Sequence, residues 1–239
     1  MSELDPIKLA NLRMLEFAAL KLGPLSEQMV FLGGCTTALF ITDSAAPDVR
    51  VTVDVDCIVD VASLQAYKKI ESALLKQGFK QSMKDDLICR WRIDDLILDV
   101  MPTDKNILGF SNCWYPEAIQ AKISYSLSDT TTIYSVTAPY FLATKFEAFK
   151  GRGNKDYLAS HDLEDIVSVL DGRPELVGEI QAIRGKLKKY LTEEIQLLLD
   201  NQQFLSALPG HLSTYGSIAY NRANILIDRL QKMMLEKSS

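Results

Sequence analysis

Hydrophobic and polar positions change their spacing several times along this chain, and each change predicts a new element. Residues 6–22 carry apolar positions at helical spacing. Asp5 is placed to cap that helix, Pro6 suits its first turn and Gly23 ends it. A short apolar strand, 29–32, runs into Gly33-Gly34 and is followed by a helical stretch through Phe40. Residues 51–60, VTVDVDCIVD, alternate as a strand does, and a helix is predicted from about Ser63 to Gln77, closed by Gly78. Two strand-like runs, LICRWRI and LILDVM, are separated only by Asp94-Asp95. That spacing predicts a tight hairpin, because Asp tolerates the positive φ such turns need. A further strand is expected over 131–136, TTIYSV, just before Pro139.

Beyond Pro139 the texture becomes helical. Helices are expected over about 139–150 and 162–170, then one long helix from Pro174 toward Leu208, then a last one over about 217–236. The fold class is therefore α+β: a small mixed sheet flanked by helices over residues 1–137, followed by an all-helical C-terminal domain over 138–239.

Composition narrows the function classes. With 47% hydrophobic and 24% charged residues the chain is ordinary globular protein, which argues against wholesale disorder. No apolar run is long enough to span a bilayer, and the opening MSELDPIKLANLR is unlike a signal peptide, so a cytoplasmic protein with no membrane partner is expected. The four cysteines, at 35, 57, 89 and 113, form no CxxC pair, and the histidines are only His161 and His211. Buried thiols are expected rather than a zinc site or disulfides. The formal net charge is −5, whereas proteins that grip long nucleic acid present a broad basic face. The basic residues are scattered, apart from Lys145, Lys150, Arg152 and Lys155, a pattern that fits local steering of a phosphate ligand.

The chemistry points to acids. Asp54 and Asp56, two apart on a predicted strand, project from one face, while Val53, Val55 and Cys57 point into a core. Paired carboxylates repel unless a cation neutralises them, and hard oxygen ligands with room for water and phosphate suit Mg2+. Asp99 interrupts the apolar run LILDVM. On a neighbouring strand and the same face it would complete a triad able to hold two metals roughly 3.5–4 Å apart for an in-line phosphoryl displacement. An Asp-x-Asp on a strand is common and weak by itself; the upstream diglycine, the third acid and the downstream lysine together strengthen it. Lacking side chains, Gly33 and Gly34 let the backbone approach a triphosphate, with a helix N-terminus behind and Thr36 and Thr37 as hydroxyl donors.

These residues resemble a known family. GGCTTALFITDSAAPDVRVTVDVD, a Gly-Gly followed after nineteen residues by Asp-x-Asp, resembles the core motif of the DNA polymerase β-like nucleotidyltransferase superfamily. APYFLATKFEAFKGRGNKDYLASHDLEDI looks like the helical half of the AbiEii/AbiGii toxin-type nucleotidyltransferases, and together the likeness covers roughly residues 30–172. The resemblance implies a nucleotidyltransferase-type sheet, with Asp54 and Asp56 as metal ligands and Asp99 as the third acid, acting on the acceptor hydroxyl. It implies that Lys145 pairs with triphosphate oxygens, and that Asp162 or Asp165 is the acid of the helical motif. The substrate would be an NTP, lying in a cleft that the helical domain completes. Its NMP would pass to an RNA 3′ end such as that of tRNA, to a protein or to a small molecule, and an antitoxin chain would be a partner. One departure is Cys35, where members often carry Gly-Ser or Gly-Gly-Thr; Thr36 is the hydroxyl left to compensate.

Read from the residues alone, Lys145 shares a helix with Phe141, Leu142, Phe146 and Phe149, an apolar face expected to dock on the first half. Lys150 reads as a solvated basic edge. Arg152, in the loop GRGNKD, reads as a phosphate contact or as an idle surface residue. His161 reads as a helix-start residue, and Trp91, Trp114 and Tyr115 as core or interface. Two rival readings stand beside the enzyme: a nucleotide-binding or protein-interaction module that has lost catalysis on this fold, and a helical half that docks a partner chain.

Overall fold

The computed structural model describes residues 6–82, 85, 87–153, 156–212 and 216–235. Asp5, Lys155 and Glu236, which carried expectations above, lie outside them. The fold is α+β. Six strands, β1 (Val30–Leu32), β2 (Val55–Val59), β3 (Arg90–Ile93), β4 (Leu96–Pro102), β5 (Ile123–Ser126) and β6 (Thr132–Ser135), form one mixed sheet in the order β3-β4-β2-β1-β6-β5. Around them lie α1 (Pro6–Leu22), the single turn α2 (Thr37–Phe40), α3 (Leu64–Lys76), α4 (Lys105–Leu108) and α5 (Tyr115–Gln120). The later helices are α6 (Ala138–Arg152), α7 (His161–Gly172), α8 (Leu176–Ala182), α9 (Lys186–Leu199), α10 (Gln202–His211) and α11 (Gly216–Met234). Among the described residues no helix is long and apolar enough to cross a membrane.

The chain makes two compact units. One is the sheet unit, Leu4–Leu39 with Val51–Thr137; the other is helical and joins Phe40–Arg50 to Ala138–Ser239. The change of texture near 138 marks the start of the longer helical stretch, but the segment 40–50 belongs with the helices rather than with the sheet. The amides of Thr42 and Asp43 both donate to the Gly172 carbonyl, and the Phe40 ring lies 4.8 Å from that of Phe141. Arg222 of α11 reaches back to Asp43, the Ala45 carbonyl and Asp171.

In the sheet unit the alternation of strand residues sorts two faces. Phe31, Val55, Cys57, Val59, Trp91, Leu98 and Val100 share a core with Leu15, Ala18 and Leu22 of α1 and with Tyr67, Ile70 and Leu74 of α3. Helix α3 starts at Ser63, whose hydroxyl accepts from the Ala66 amide, and it supplies the crossover that parallel β2 and β4 require. The hairpin β3–β4 turns at Asp94-Asp95, with Asp94 at φ +50°, as its spacing predicts. Val53 departs from expectation: it is 70% exposed, because the ladder begins only at Val55 and two-residue periodicity does not reach back to it.

Strand β5 and helices α4 and α5 were not legible from hydropathy. β5 is an edge strand whose residues are mostly exposed, so it shows no apolar alternation. Cys35, Cys57 and Cys89 are buried as expected, but Cys113 is exposed. Trp91 and Trp114 are buried and Tyr115 nearly so, which matches the core reading.

The helical unit buries the expected stripes. In α9, Leu187, Leu191, Ile195 and Leu198 recur at helical spacing, and so do Ala219, Ala223, Leu226, Leu230 and Met233 in α11. The single long helix expected over 174–208 is three. It breaks at Gly185, whose φ of +74° and ψ of −147° no helix contains, and again at Asn201, whose side chain caps α10 by accepting from the Phe204 amide. Nothing lies within 4 Å of where a Cβ on Gly185 would stand. The cost of Gly185→Ala is therefore purely conformational, and we expect it to destabilise the protein by more than about 1 kcal/mol in urea unfolding.

Candidate functional site

The acids of the sheet unit are positioned by strand register. In the parallel pair β2–β4, Asp56 stands opposite Asp99, and in the antiparallel pair β3–β4, Arg90 stands opposite Asp99. All three lie on the sheet face opposite the α1–α3 core. Asp54 precedes the ladder and joins them through Arg90. The guanidinium grips Asp99 with two parallel bonds, Nε to Oδ1 at 2.8 Å and Nη2 to Oδ2 at 2.7 Å. The same Nη2 donates to Asp54 Oδ2 at 2.9 Å. These bonds raise the Arg90 pKa, the grip of Asp99 contributing most. The two predicted metal ligands Asp54 and Asp99 are thus brought to either side of one nitrogen, and both are already neutralised from within the chain.

The thiols beneath feel the same acids. Burial first, and then the charges of Asp56 and Asp99, push the Cys57 thiol well above its usual range. Cys89 rises to about 12, from burial and then Asp99. Neither is a nucleophile near neutral pH.

The diglycine fits Asp56 closely. Gly33 holds φ +80°, and a Cβ built on it would fall 1.9 Å from Asp56 Oδ2, so only glycine brings the backbone this near that carboxylate. Gly34 opens a 3-10 turn, Gly34–Thr36, that leads into the four-residue α2. The expected helix dipole behind the loop is therefore slight, since aligned peptides add up only over several turns. Thr36 is fully buried and its hydroxyl donates to the Gly33 carbonyl at 2.8 Å, which spends its proton on closing the turn.

A second charged cluster lies within the helical unit. Lys145 of α6 is 5% exposed, with Nζ 3.1 Å from Asp162 Oδ1 and 2.6 Å from Asp165 Oδ2 on α7. It does not choose between the two acids: it binds both. Arg50, from the segment 40–50, grips Asp165 with Nε at 2.8 Å and Nη2 at 3.0 Å. Arg152 grips Asp162 with Nε at 2.8 Å and Nη2 at 2.9 Å while 74% of its side chain stays exposed. Arg152 is the last residue of α6, not part of a loop. Burial opposes ionisation of Asp162, yet Arg152 and Lys145 outweigh it and hold the carboxyl at about 2. Lys145 is expected on triphosphate oxygens, but its charge here is committed to two carboxylates. Lys150 is the basic edge expected of it, tied to Glu147 and Glu194. His161 opens α7 behind the Ser160 cap, as expected.

Sequence reasoning missed Arg90 and Arg50. Arg90 was within reach: a two-residue turn at Asp94-Asp95 sets the hairpin register and puts residue 90 opposite residue 99. Arg50 carried no signal, since it lies in irregular chain far from Asp165 in sequence.

Asp56 and Asp99 on one sheet face, with Asp54 just ahead of the ladder, offer the hard-oxygen chemistry that a divalent cation takes, and the Arg90 guanidinium is a stand-in cation on Asp54 and Asp99. Among the described residues, no group of three or more His, Cys, Asp or Glu side chains is spaced to close on a metal ion in this arrangement. No protein-family model matches the chain, and a comparison with curated proteins finds no match.

Two outcomes follow. Gly33→Ala meets both the conformational cost and the Asp56 carboxylate, so its destabilisation should exceed that of Gly185→Ala when the two are unfolded in parallel. Asp162 has a folded pKa of about 2 against an ordinary 3.8, so it binds fewer protons folded than unfolded between those values. Its contribution, on the order of 2 kcal/mol, is fully present above the ordinary value and is lost as pH falls through the folded one. The destabilisation by Asp162→Asn should therefore shrink from near-neutral pH toward pH 2. A pH-independent difference would assign the contact to packing instead.

Proposed function

We propose that this chain is a metal-dependent nucleotidyltransferase that moves an NMP from an NTP to an acceptor. The observation that carries the reading is the pairing of Asp56 with Asp99 on adjacent parallel strands, beside a glycine backbone that fits against Asp56. Asp54 and Asp56 would hold Mg2+, which when bound supplies charge neutralisation at the phosphoryl oxygens. Asp99 would take the proton of the acceptor hydroxyl. The acceptor oxygen forms its bond to the α-phosphorus as the bond to the bridging oxygen breaks, and pyrophosphate leaves. Gly33, beside Asp56, would present its backbone to the triphosphate. Within the helical cluster Arg152 is the most exposed cation, with 74% of its side chain in solvent. Lys145 acts in this reading as a positioning residue that holds α6 to α7 through Asp162 and Asp165.

The resemblance to toxin-type enzymes supports the same chemistry and makes an antitoxin chain the partner to seek by co-purification. One observation favours a second reading, a nucleotide-binding module without catalysis: Arg90 already neutralises Asp54 and Asp99, so these acids persist together without a metal.

One experiment separates the two. The protein is incubated with each NTP labelled at the α-phosphate, Mg2+, and total tRNA or cell extract, and the products are resolved on gels. We expect a labelled product whose rate of formation falls at least 100-fold, a minimum set by order of magnitude, in Asp56→Ala. The labelled species names the acceptor as RNA or protein, and chromatography of the small-molecule fraction covers the third class. Label transfer that survives Asp56→Ala would remove this site from the reaction, and nucleotide binding with no transfer in any fraction would favour the module.

A further inference from the structure

Arg90 holds both oxygens of Asp99 and one oxygen of Asp54, two of the three carboxylates assigned above to the metal and the acceptor. A guanidinium in that position and a divalent cation compete for the same lone pairs, and their charges repel. We infer that Arg90 is the resting counter-ion of the acid site, and that a divalent cation binds there only by displacing its guanidinium from Asp54. The inference rests on the metal reading of the preceding section and adds a regulatory element to it.

The geometry makes displacement local. Arg90 sits in the hairpin strand β3, its backbone paired opposite Asp99, so the two-bond grip on Asp99 is anchored by the ladder. The third bond, to Asp54, crosses to a residue outside any strand, and Asp54 keeps about a third of its side chain exposed. That is the bond a cation approaching from solvent meets first. Once it is broken, Arg90 turns from a brake on the site into a cation beside it, within reach of the negative charge a nucleotide brings.

The sign of the effect distinguishes this role from a merely structural one. Removing a residue that only supports the site weakens cation binding, whereas removing a competing counter-ion strengthens it. The probe is Mn2+, followed by calorimetry and by loss of its free-ion electron spin resonance signal. The proteins are wild type, Asp56→Ala, Arg90→Gln and Arg90→Lys, each checked for native circular dichroism. We expect Arg90→Gln to bind Mn2+ at least roughly tenfold more tightly than wild type. We also expect its melting temperature to be lower without metal and to rise more steeply with added Mn2+. Arg90→Lys keeps the charge but not the planar fork, so its affinity should rise by a smaller factor; it carries the comparison if Arg90→Gln does not fold. Binding seen only in the Arg90 variants supports the inference in its strongest form. Wild-type binding that is lost in Asp56→Ala but is no tighter in either Arg90 variant overturns the counter-ion role and leaves the metal site standing. If no protein of the set binds Mn2+, the metal reading falls and this inference falls with it.

Discussion

Buried charge must be matched, and that requirement organises both units of this protein. A carboxylate withdrawn from water without a partner costs several kcal/mol, more than a fair share of a domain's whole stability. The chain withdraws Asp99, Asp162, Asp165 and Asp171, and each is met by an arginine: Arg90, Arg152, Arg50 and Arg222 respectively. Three of the four pairs use the planar two-bond grip that lysine cannot make. Such pairs contribute more to a unique arrangement than to net stability, since apolar side chains of the same volume would often serve stability as well.

The two charged clusters are built by different means. In the sheet unit, register does the work: a hairpin of fixed turn length and a parallel ladder bring Arg90, Asp99 and Asp56 into one row across three strands. In the helical unit, Lys145 reaches two acids three residues apart on the first two turns of α7, and the arginines close in from the end of α6 and from a distant segment. The first cluster is open at Asp54 and backed by a glycine turn. The second is sealed, with Arg152 as its outlet. That contrast is why the chemistry is assigned to the sheet and the anchoring to the helices.

Much of this was legible in the sequence, for reasons that also explain what was not. The acids at 56 and 99 stand out because each interrupts an apolar strand, Asp54 by its spacing from Asp56, and Asp94-Asp95 announces a turn by its spacing. The helices of the second unit show their apolar stripes. Local patterns do not carry what depends on distant chain: that Arg50 meets Asp165, or that Thr36 spends its hydroxyl on the Gly33 carbonyl. Edge strand β5 was invisible because a strand facing solvent keeps no apolar alternation. The long helix expected over 174–208 shows the limit of periodicity, which continues across a break; Gly185 and Asn201 were the punctuation to heed.

The path of the chain between Phe40 and Arg50 has one more consequence. Those eleven residues leave the sheet, contribute Arg50, Asp43 and two backbone amides to the helical unit, and return. The frontier between the units is therefore spatial and cannot be drawn as a single cut in the sequence. A fragment starting at residue 138 would leave Asp165 without its guanidinium, and one ending at 137 would carry a severed tongue with nothing to grip. Neither half is a cassette that recombination could move intact to another protein, so the two are bound to be inherited together.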